Sequence, residues 1–158
     1  MLGFFNVYAS TLGGIRQGDP LSPLLFDIVM KGLSHMLDVA ATTNQFSGFS
    51  VGNTTGNSVM VSHLLFVDDI LIFCDADPTQ IASLRAILAR FEEVSGLRIN
   101  LGKSKLVPIG VVHNMDVLMG MLGCRQSSLP LRYLGLCWEL NLRSCQFEIL
   151  FWRRWKGD

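Results

Sequence analysis

The chain has 158 residues, 49% of them hydrophobic, and no net charge, although residues 1–80 carry a charge of −5 and residues 81–158 one of +5. That length suffices for one domain or for part of a larger one. Its apolar runs are broken, by Asp27 and His63 among others, before any reaches the length of a membrane span, and no basic segment precedes the apolar N-terminus as in a signal peptide. We therefore expect an intracellular chain without a membrane segment, whose four cysteines, lacking CxxC or zinc-site spacing, are core thiols.

The first forty residues predict a strand, a loop and a helix. Residues 1–15 are apolar and small, which is typical of a strand that ends in a glycine turn. Either Asp19–Pro20 or Ser22–Pro23 can start the helix, because each places proline after a capping residue. Apolar residues then recur at three- and four-residue intervals over 24–40. Backbone amides at this helix start, beside Arg16, would suit a phosphate, but a capped helix without a ligand explains the same pattern.

The central stretch of the chain, residues 63–74, consists of two apolar runs on either side of Asp68 and Asp69. Both runs have strand length and do not alternate with polar residues, which predicts two strands buried on both faces. The aspartates fall at the connection, a position where Asp is tolerated, so a plain hairpin turn is one interpretation. A metal site is the other, because adjacent carboxylates repel each other unless a cation compensates them.

Further helices and short strands follow the central stretch. Apolar periodicity predicts a helix from its cap at Thr79 to its stop at Gly96. Residues 97–100 alternate as a strand, and residues 115–124 are typical of a short helix. The terminal segment 151–156 interleaves aromatic and basic residues, a pattern found in nucleic-acid contacts and also in frayed terminal helices.

Four motifs stand in a fixed order along the chain. They are the glycine–aspartate–proline loop in 16–26, the aspartate pair in 62–73, the Ile-Asn-x-x-Lys-Ser strand in 96–104 and the Tyr-Leu-Gly turn in 129–136. Together, and with the Gly-Phe-Phe of residues 3–5, they resemble the reverse transcriptase domain of non-LTR (LINE-type) retrotransposons, especially the plant group. An ordered set of motifs is more specific than any one of them, so it favours the metal-site interpretation of the aspartates.

The resemblance implies an α+β fold, namely a partial polymerase palm over residues 1–136, with an antiparallel sheet and helices packed on one face. The helices that begin near Pro23 and Thr79 would cover the same face, and the other face would be open and richer in polar groups. Their apolar stripes would be buried, including Leu25, Ile28, Leu84, Leu88 and Phe91. Residues 137–158 diverge from the family and form a separate tail.

The resemblance also implies a chemistry for individual residues. Asp68 and Asp69 would be catalytic ligands of Mg²⁺ in a two-metal site, with Asp68 the stricter of the two, and Lys103 would assist the departure of pyrophosphate. The residues expected to lie against the template strand and the incoming nucleotide are Arg16, Gln17 and Gly18. The partners would be an RNA template, a DNA primer and deoxynucleoside triphosphates.

Departures from the family pattern limit what the chain is expected to do. The family has another metal-binding aspartate on an upstream strand, whereas no acidic residue precedes Asp19 here. Val67 replaces a usual alanine, Gly13 a usual arginine, and Cys137 a usual proline. We also expect these residues to include neither the fingers nor the thumb.

We therefore expect a partial palm with an incomplete metal site. It would work within a longer protein, or it would be an inactive retroelement remnant with at most weak nucleic-acid binding. A third interpretation, a small interaction domain whose aspartates only form a turn, is disfavoured by the order of the motifs.

Overall fold

The computed structural model describes residues 1–9, 21–51, 59–66, 68–129, 131–133 and 136–138. The helices of these residues are α1 (Leu21–Thr42), α2 (Pro78–Ser95) and α3 (Met115–Leu122). The strands are β1 (Leu2–Ala9), β2 (Phe49–Val51), β3 (Val59–Val61), β4 (His63–Phe66), β5 (Asp69–Phe73), β6 (Leu97–Ile99), β7 (Lys105–Val107), β8 (Arg125–Gln126), β9 (Leu131–Tyr133) and β10 (Leu136–Trp138). Among these helices, none combines the length and hydropathy that a bilayer crossing requires.

The principal sheet is built around β1. Its strand order is β4-β5-β1-β7-β8, and β6 also pairs with β1 beyond the end of β7. These pairings are antiparallel, except that β7 and β8 run parallel. Two small antiparallel pairs, β2 with β3 and β9 with β10, stand apart from this sheet. The predicted antiparallel sheet is therefore confirmed.

All three helices pack on one face of the principal sheet. Alternate residues of β1 and β5 point to that face, where Phe5 lies opposite Ile70 in the register and both are 0% exposed. One apolar core joins these side chains to residues of the helices: Leu33 and Leu37 of α1, Leu84, Leu88 and Phe91 of α2, and Leu118 and Leu122 of α3. The expected arrangement of a palm, with helices on one face, is confirmed.

The burial of the first two turns of α1 was predicted wrongly. Leu25 and Ile28 are 43% and 55% exposed, although their spacing continues the apolar stripe of the helix. The fully buried residues of α1 begin with Met30 and Leu33, while Phe26 and Val29 are partly buried and pack against the same core. Periodicity reports which residues share a helix face, but it does not report how far along the helix a partner extends.

The two central strands differ in burial, which corrects a second expectation. Ile70, Leu71, Ile72 and Phe73 of β5 are all buried, as predicted. In β4, however, Leu64 is 36% exposed. The reason is position in the sheet, since β5 lies between two strands and β4 is the edge of the described sheet.

Helix α2 ends where the sequence predicts, but its N-cap lies two residues before the predicted one. Gly96 closes it in the left-handed conformation, with φ of 72°. Its N-cap is Asp77 instead of Thr79, because Pro78 takes the first helical position and the Asp77 carboxylate accepts a hydrogen bond from Gln80 N. The Thr79 hydroxyl also donates to this carboxylate, and that bond is the main cause that lowers the pKa of Asp77.

The sheet face opposite the helices, which we expect to be open and richer in polar groups, is apolar at one end and polar at the other. At one end, Leu71, Phe73 and Val107 are buried in a second apolar cluster, which Phe49, Val61, Ile109 and Leu129 partly cover. At the other end, the polar side chains of Asn6 and Asp69 are half-buried.

Candidate active site

Asp68 and Asp69 lie where β4 turns into β5. The register pairs Phe66 with Asp69 and Leu65 with Ile70, so the hairpin is tight and Asp68 lies in its turn. Asp68 is exposed, whereas Asp69, the first residue of β5, is half-buried. The strand–turn–strand expected for the aspartate pair is therefore present.

The pleat of β5 determines the face of the sheet on which the Asp69 side chain lies. Ile70 and Ile72 belong to the core beneath the helices, and Leu71 and Phe73 to the cluster on the opposite face. Because side chains alternate along a strand, Asp69 points to the same face as Leu71 and Phe73. This carboxylate therefore lies on the face that the helices do not cover.

Asn6 of β1 links the two carboxylates, a role that the sequence reasoning missed. It lies opposite Asp69 in the register. Its amide Nδ2 donates to Asp69 Oδ1 at 3.0 Å and to Asp68 Oδ2 at 3.2 Å. A polar residue within the apolar first strand is the only local signal for it, since the contact depends on the pairing of strands far apart in sequence.

Lys103 lies on the other side of Asn6, in the connection between β6 and β7. Both strands pair with β1, through Ile99 opposite Val7 and Lys105 opposite Phe4, and residues 100–104 form a loop between these pairings. Asn100 anchors the loop: its N–H donates to the carbonyl of Asn6 at 2.7 Å, and its own carbonyl accepts from Lys103 N at 3.0 Å. Lys103 is exposed at this end of the sheet.

Lys105 is a second cation that the sequence reasoning did not single out for this site. Val107 of the same strand belongs to the cluster opposite the helices, and Leu106 to the core beneath them. The pleat of β7 therefore directs Lys105 to the face that carries Asp69. Its side chain is exposed there. This face thus presents positive charge on one side of β1 and carboxylates on the other.

The carboxylates of Asp68 and Asp69 and the amide of Asn6 are groups that suit a hard divalent cation, but they are few. Carboxylate and amide oxygens are the ligands that Mg²⁺ prefers. In the described part of the chain, no three side chains of His, Cys, Asp or Glu come together as a metal cluster. Two carboxylates and the amide of Asn6 are what this end of the sheet provides.

Several predicted residues lie outside the described ranges. Arg16, Gln17 and Gly18 precede the first described residue of α1, and Gly13 and Val67 fall in gaps as well. Of the divergent tail, only Cys137 and Trp138 are described, as part of β10. The roles assigned to Arg16, Gln17 and Gly18 stay predictions.

Comparison with known proteins agrees with the motif order. The chain is 33% identical over 99 residues to the Retrovirus-related Pol polyprotein from type-1 retrotransposable element R2 of Popillia japonica, covering 61% of this chain and 12% of that protein. It is 32% identical over 99 residues to the type-2 element R2DM polyprotein of Drosophila melanogaster, covering 61% and 8%. An uncharacterised mitochondrial protein of Arabidopsis thaliana is 45% identical over 56 residues, covering 35% and 43%.

The chain thus spans less than half of the length of each of these relatives. The family described as reverse transcriptase (RNA-dependent DNA polymerase) matches residues 8–137. This match includes the aspartate hairpin, the loop of Lys103 and all three helices. The chain therefore belongs to the reverse transcriptase family, and its R2 relatives are retrotransposon polyproteins.

Proposed function

We propose that this chain supplies part of the nucleotidyl-transfer centre of a LINE-type reverse transcriptase, with Asp68 and Asp69 as ligands of Mg²⁺. One observation carries this proposal. Asp69 lies on the sheet face that the helices leave uncovered, and Asp68, in the adjacent turn, accepts a hydrogen bond from the same Asn6 amide. A primer–template duplex and a nucleotide would approach on that face.

Each carboxylate has a distinct part in this proposal. Divalent cations at such a site hold the attacking and leaving oxygens of a phosphoryl transfer when they are bound. Asp69 is held by its pairing with Asn6 of the central strand β1, so it would fix the position of the site. Asp68 is exposed in the turn and would face the phosphates.

Lys103 and Lys105, on the other side of β1, would bind the phosphate groups of the nucleotide and the nucleic acid. Lys103 is exposed in a loop whose backbone is fixed to Asn100, so its ammonium group would offset charge on departing pyrophosphate. Lys105 is exposed on the same face as Asp69 and would contact a nucleic-acid phosphate. Arg16, Gln17 and Gly18 are proposed to contact the template strand and the incoming nucleotide.

A second candidate is an inactive retroelement remnant with at most weak nucleic-acid binding. The observation that favours it is the Asn6 amide, which donates to both aspartates and so offsets part of their repulsion without a cation. The two candidates differ in whether metal at the aspartates contributes to binding.

Binding of a labelled RNA–DNA primer–template, followed by fluorescence anisotropy, tests the proposal. We expect Mg²⁺ to tighten binding, and Asp68→Asn or Asp69→Asn to remove this increment. Lys105→Ala should weaken binding several-fold and lower its salt dependence, because a phosphate contact is lost. The matched controls are Asp27→Asn and Lys31→Ala, which alter an exposed ion pair of 3.2 Å on α1.

The outcomes separate the candidates. Binding that Mg²⁺ does not change, and that the aspartate variants leave intact, would support the remnant. Equal losses for Lys105→Ala and Lys31→Ala would show that binding is general charge attraction, and the proposed face would then be wrong.

A further inference from the structure

We propose that helix α1 is the contact surface of an antiparallel dimer, in which α1 of one copy of this chain lies along α1 of a second copy. This inference goes beyond the proposed nucleotidyl-transfer role and does not depend on it. The contact is the outer stripe of α1, a set of exposed residues at alternating intervals of three and four positions. The outer stripe consists of Leu25, Ile28, Gly32, His35 and Val39, with Leu24 beside them.

The outer stripe is largely apolar, yet it is open to solvent. Its four large aliphatic side chains are between 43% and 56% exposed. Its intervals are those of the seam between two coiled helices, where apolar residues recur every 3.5 positions on average. The residues by which α1 enters the core, including Met30, Leu33 and Leu37, lie on another side of the helix. An exposed apolar surface of this kind is typical of a contact with another protein.

The sizes of the side chains favour a second copy of α1, in the antiparallel direction, as the occupant. When the outer stripe is placed against itself about a two-fold axis level with Met30, Ile28 lies opposite Gly32 of the second copy, and Leu25 lies opposite His35. A Cβ at Gly32 would meet nothing within 4 Å, so the Ile28 side chain has room there. A parallel pair would instead place Gly32 against Gly32 and leave a void between the helices.

The charges beside the outer stripe are also compatible with a second copy. Asp27 and Lys31 form an exposed ion pair of 3.2 Å next to it. The antiparallel arrangement brings Lys31 of each copy beside Asp27 of the other, so opposite charges meet near the two-fold axis. Exposed pairs of this kind contribute little affinity, but they favour one direction of approach over another.

A shallow groove between α1 and α2 continues the outer stripe at its C-terminal end. Its volume is about 270 Å³, and its lining residues are His35, Met36, Val39, Ala40, Gln45 and Ile87. Because Leu25 of the second copy lies opposite His35, its side chain reaches the edge of this groove. The two-fold axis repeats the contact, so both ends of the outer stripe are covered in both copies.

Sedimentation equilibrium of the purified chain at increasing concentration tests the dimer, and we expect a reversible equilibrium between monomer and dimer. Ile28→Ala removes the central contact, and Gly32→Ile fills the space that receives it. Each should raise the dissociation constant of the dimer by about tenfold or more, because central contacts carry most of the energy of an interface. The matched control is Val117→Ala, which shortens an exposed valine of α3 and should leave the constant unchanged. Circular dichroism shows that each variant is folded.

The double variant Ile28→Ala with Gly32→Ile tests the antiparallel register. It exchanges the large and the small residue, so the isoleucine introduced at position 32 faces the alanine at position 28 of the second copy. We therefore expect a dissociation constant close to that of the native chain. Losses that simply add in the double variant would show that positions 28 and 32 do not face each other, and the register would be wrong.

Other occupants of the outer stripe give different results. A native chain that stays monomeric at every concentration would overturn the proposal, and the stripe would then be covered by another segment of the same protein or by a different protein. Equal losses for Ile28→Ala and Val117→Ala would show general apolar association, which also contradicts the proposal. A dimer that neither Ile28→Ala nor Gly32→Ile weakens would place the contact on another surface.

Discussion

His63 is held at the start of β4 by side chains from α1 and from its own strand end. Ser34 Oγ lies 2.5 Å from its Nε2, and Ser62 Oγ lies 2.8 Å from its Nδ1. The Asp38 carboxylate is 3.7 Å from Nδ1, and the His63 side chain is only 8% exposed. Burial lowers the pKa of His63, and the Asp38 charge opposes this change in part.

The pH dependence of stability should therefore include a contribution from His63. Its pKa is lowered in the folded chain, so the unfolded chain binds more protons as the pH falls through its ordinary pKa of about 6.5. The stabilising contribution is complete above that pH and is lost as the pH falls below it. Urea unfolding between pH 5 and 8 should show this loss in the native chain and a weaker loss in His63→Gln.

His35→Gln on α1 is the control for this measurement, because His35 is exposed. It should retain the pH dependence of the native chain. Equal pH dependence in His63→Gln and the native chain would show that carboxylates, and not His63, determine the effect in this range.

At the scale of elements, two glycines should respond in opposite directions to alanine. Gly32 is exposed within α1, and an added Cβ would meet nothing within 4 Å. Gly32→Ala should stabilise the chain by about 0.5–1 kcal/mol, because glycine is a poor helix former. Gly96 closes α2 with φ of 72°, so Gly96→Ala should destabilise by about 1 kcal/mol or more.

Thermal unfolding measures both substitutions. For a chain of this size, about 1 kcal/mol corresponds to a Tm shift of about 2–4 °C. The midpoint should rise for Gly32→Ala and fall for Gly96→Ala. A rise for Gly96→Ala would contradict the left-handed end of α2.

The sequence predicts well those elements that are determined by residues close to one another along the chain. The stripe of α2 and its stop at Gly96 follow from neighbouring residues, and so does the turn that contains Asp68. Asn6 was missed because its partner, Asp69, is 63 positions away and only strand register brings them together. The exposure of Leu25 was missed for a similar reason, since burial depends on what another segment covers.

At the scale of the whole molecule, the sheet separates the residues of the core from the residues of the candidate site. One face is sealed by three helices over a continuous apolar core. The other face is apolar at the end of Leu71 and Phe73 and polar at the end of Asn6 and Asp69. Since the pleat alone separates these sets, a one-residue slip of β5 would bury the carboxylate and expose the core. Stability and chemistry are thus fixed by the same register.

This architecture predicts that the 158 residues alone will not synthesise DNA. A two-metal transfer needs several protein carboxylates to fix both ions with the primer hydroxyl and the triphosphate. Among the described residues, the neutral Asn6 amide donates to Asp68 and Asp69, and no three side chains of His, Cys, Asp or Glu cluster. Asp27 does not complete the site, because it is paired with Lys31 on α1.

A primer-extension assay with an RNA template, deoxynucleotides and Mg²⁺ measures this. We expect no extension above that of Asp68→Asn, because loss of one electrostatic contact to a transition state costs on the order of 10² to 10³ in rate. Extension by the native chain that Asp68→Asn abolishes would show that two carboxylates and an amide suffice. In that case, Asn6 would be the first residue to substitute, because its amide donates hydrogen bonds to both carboxylates.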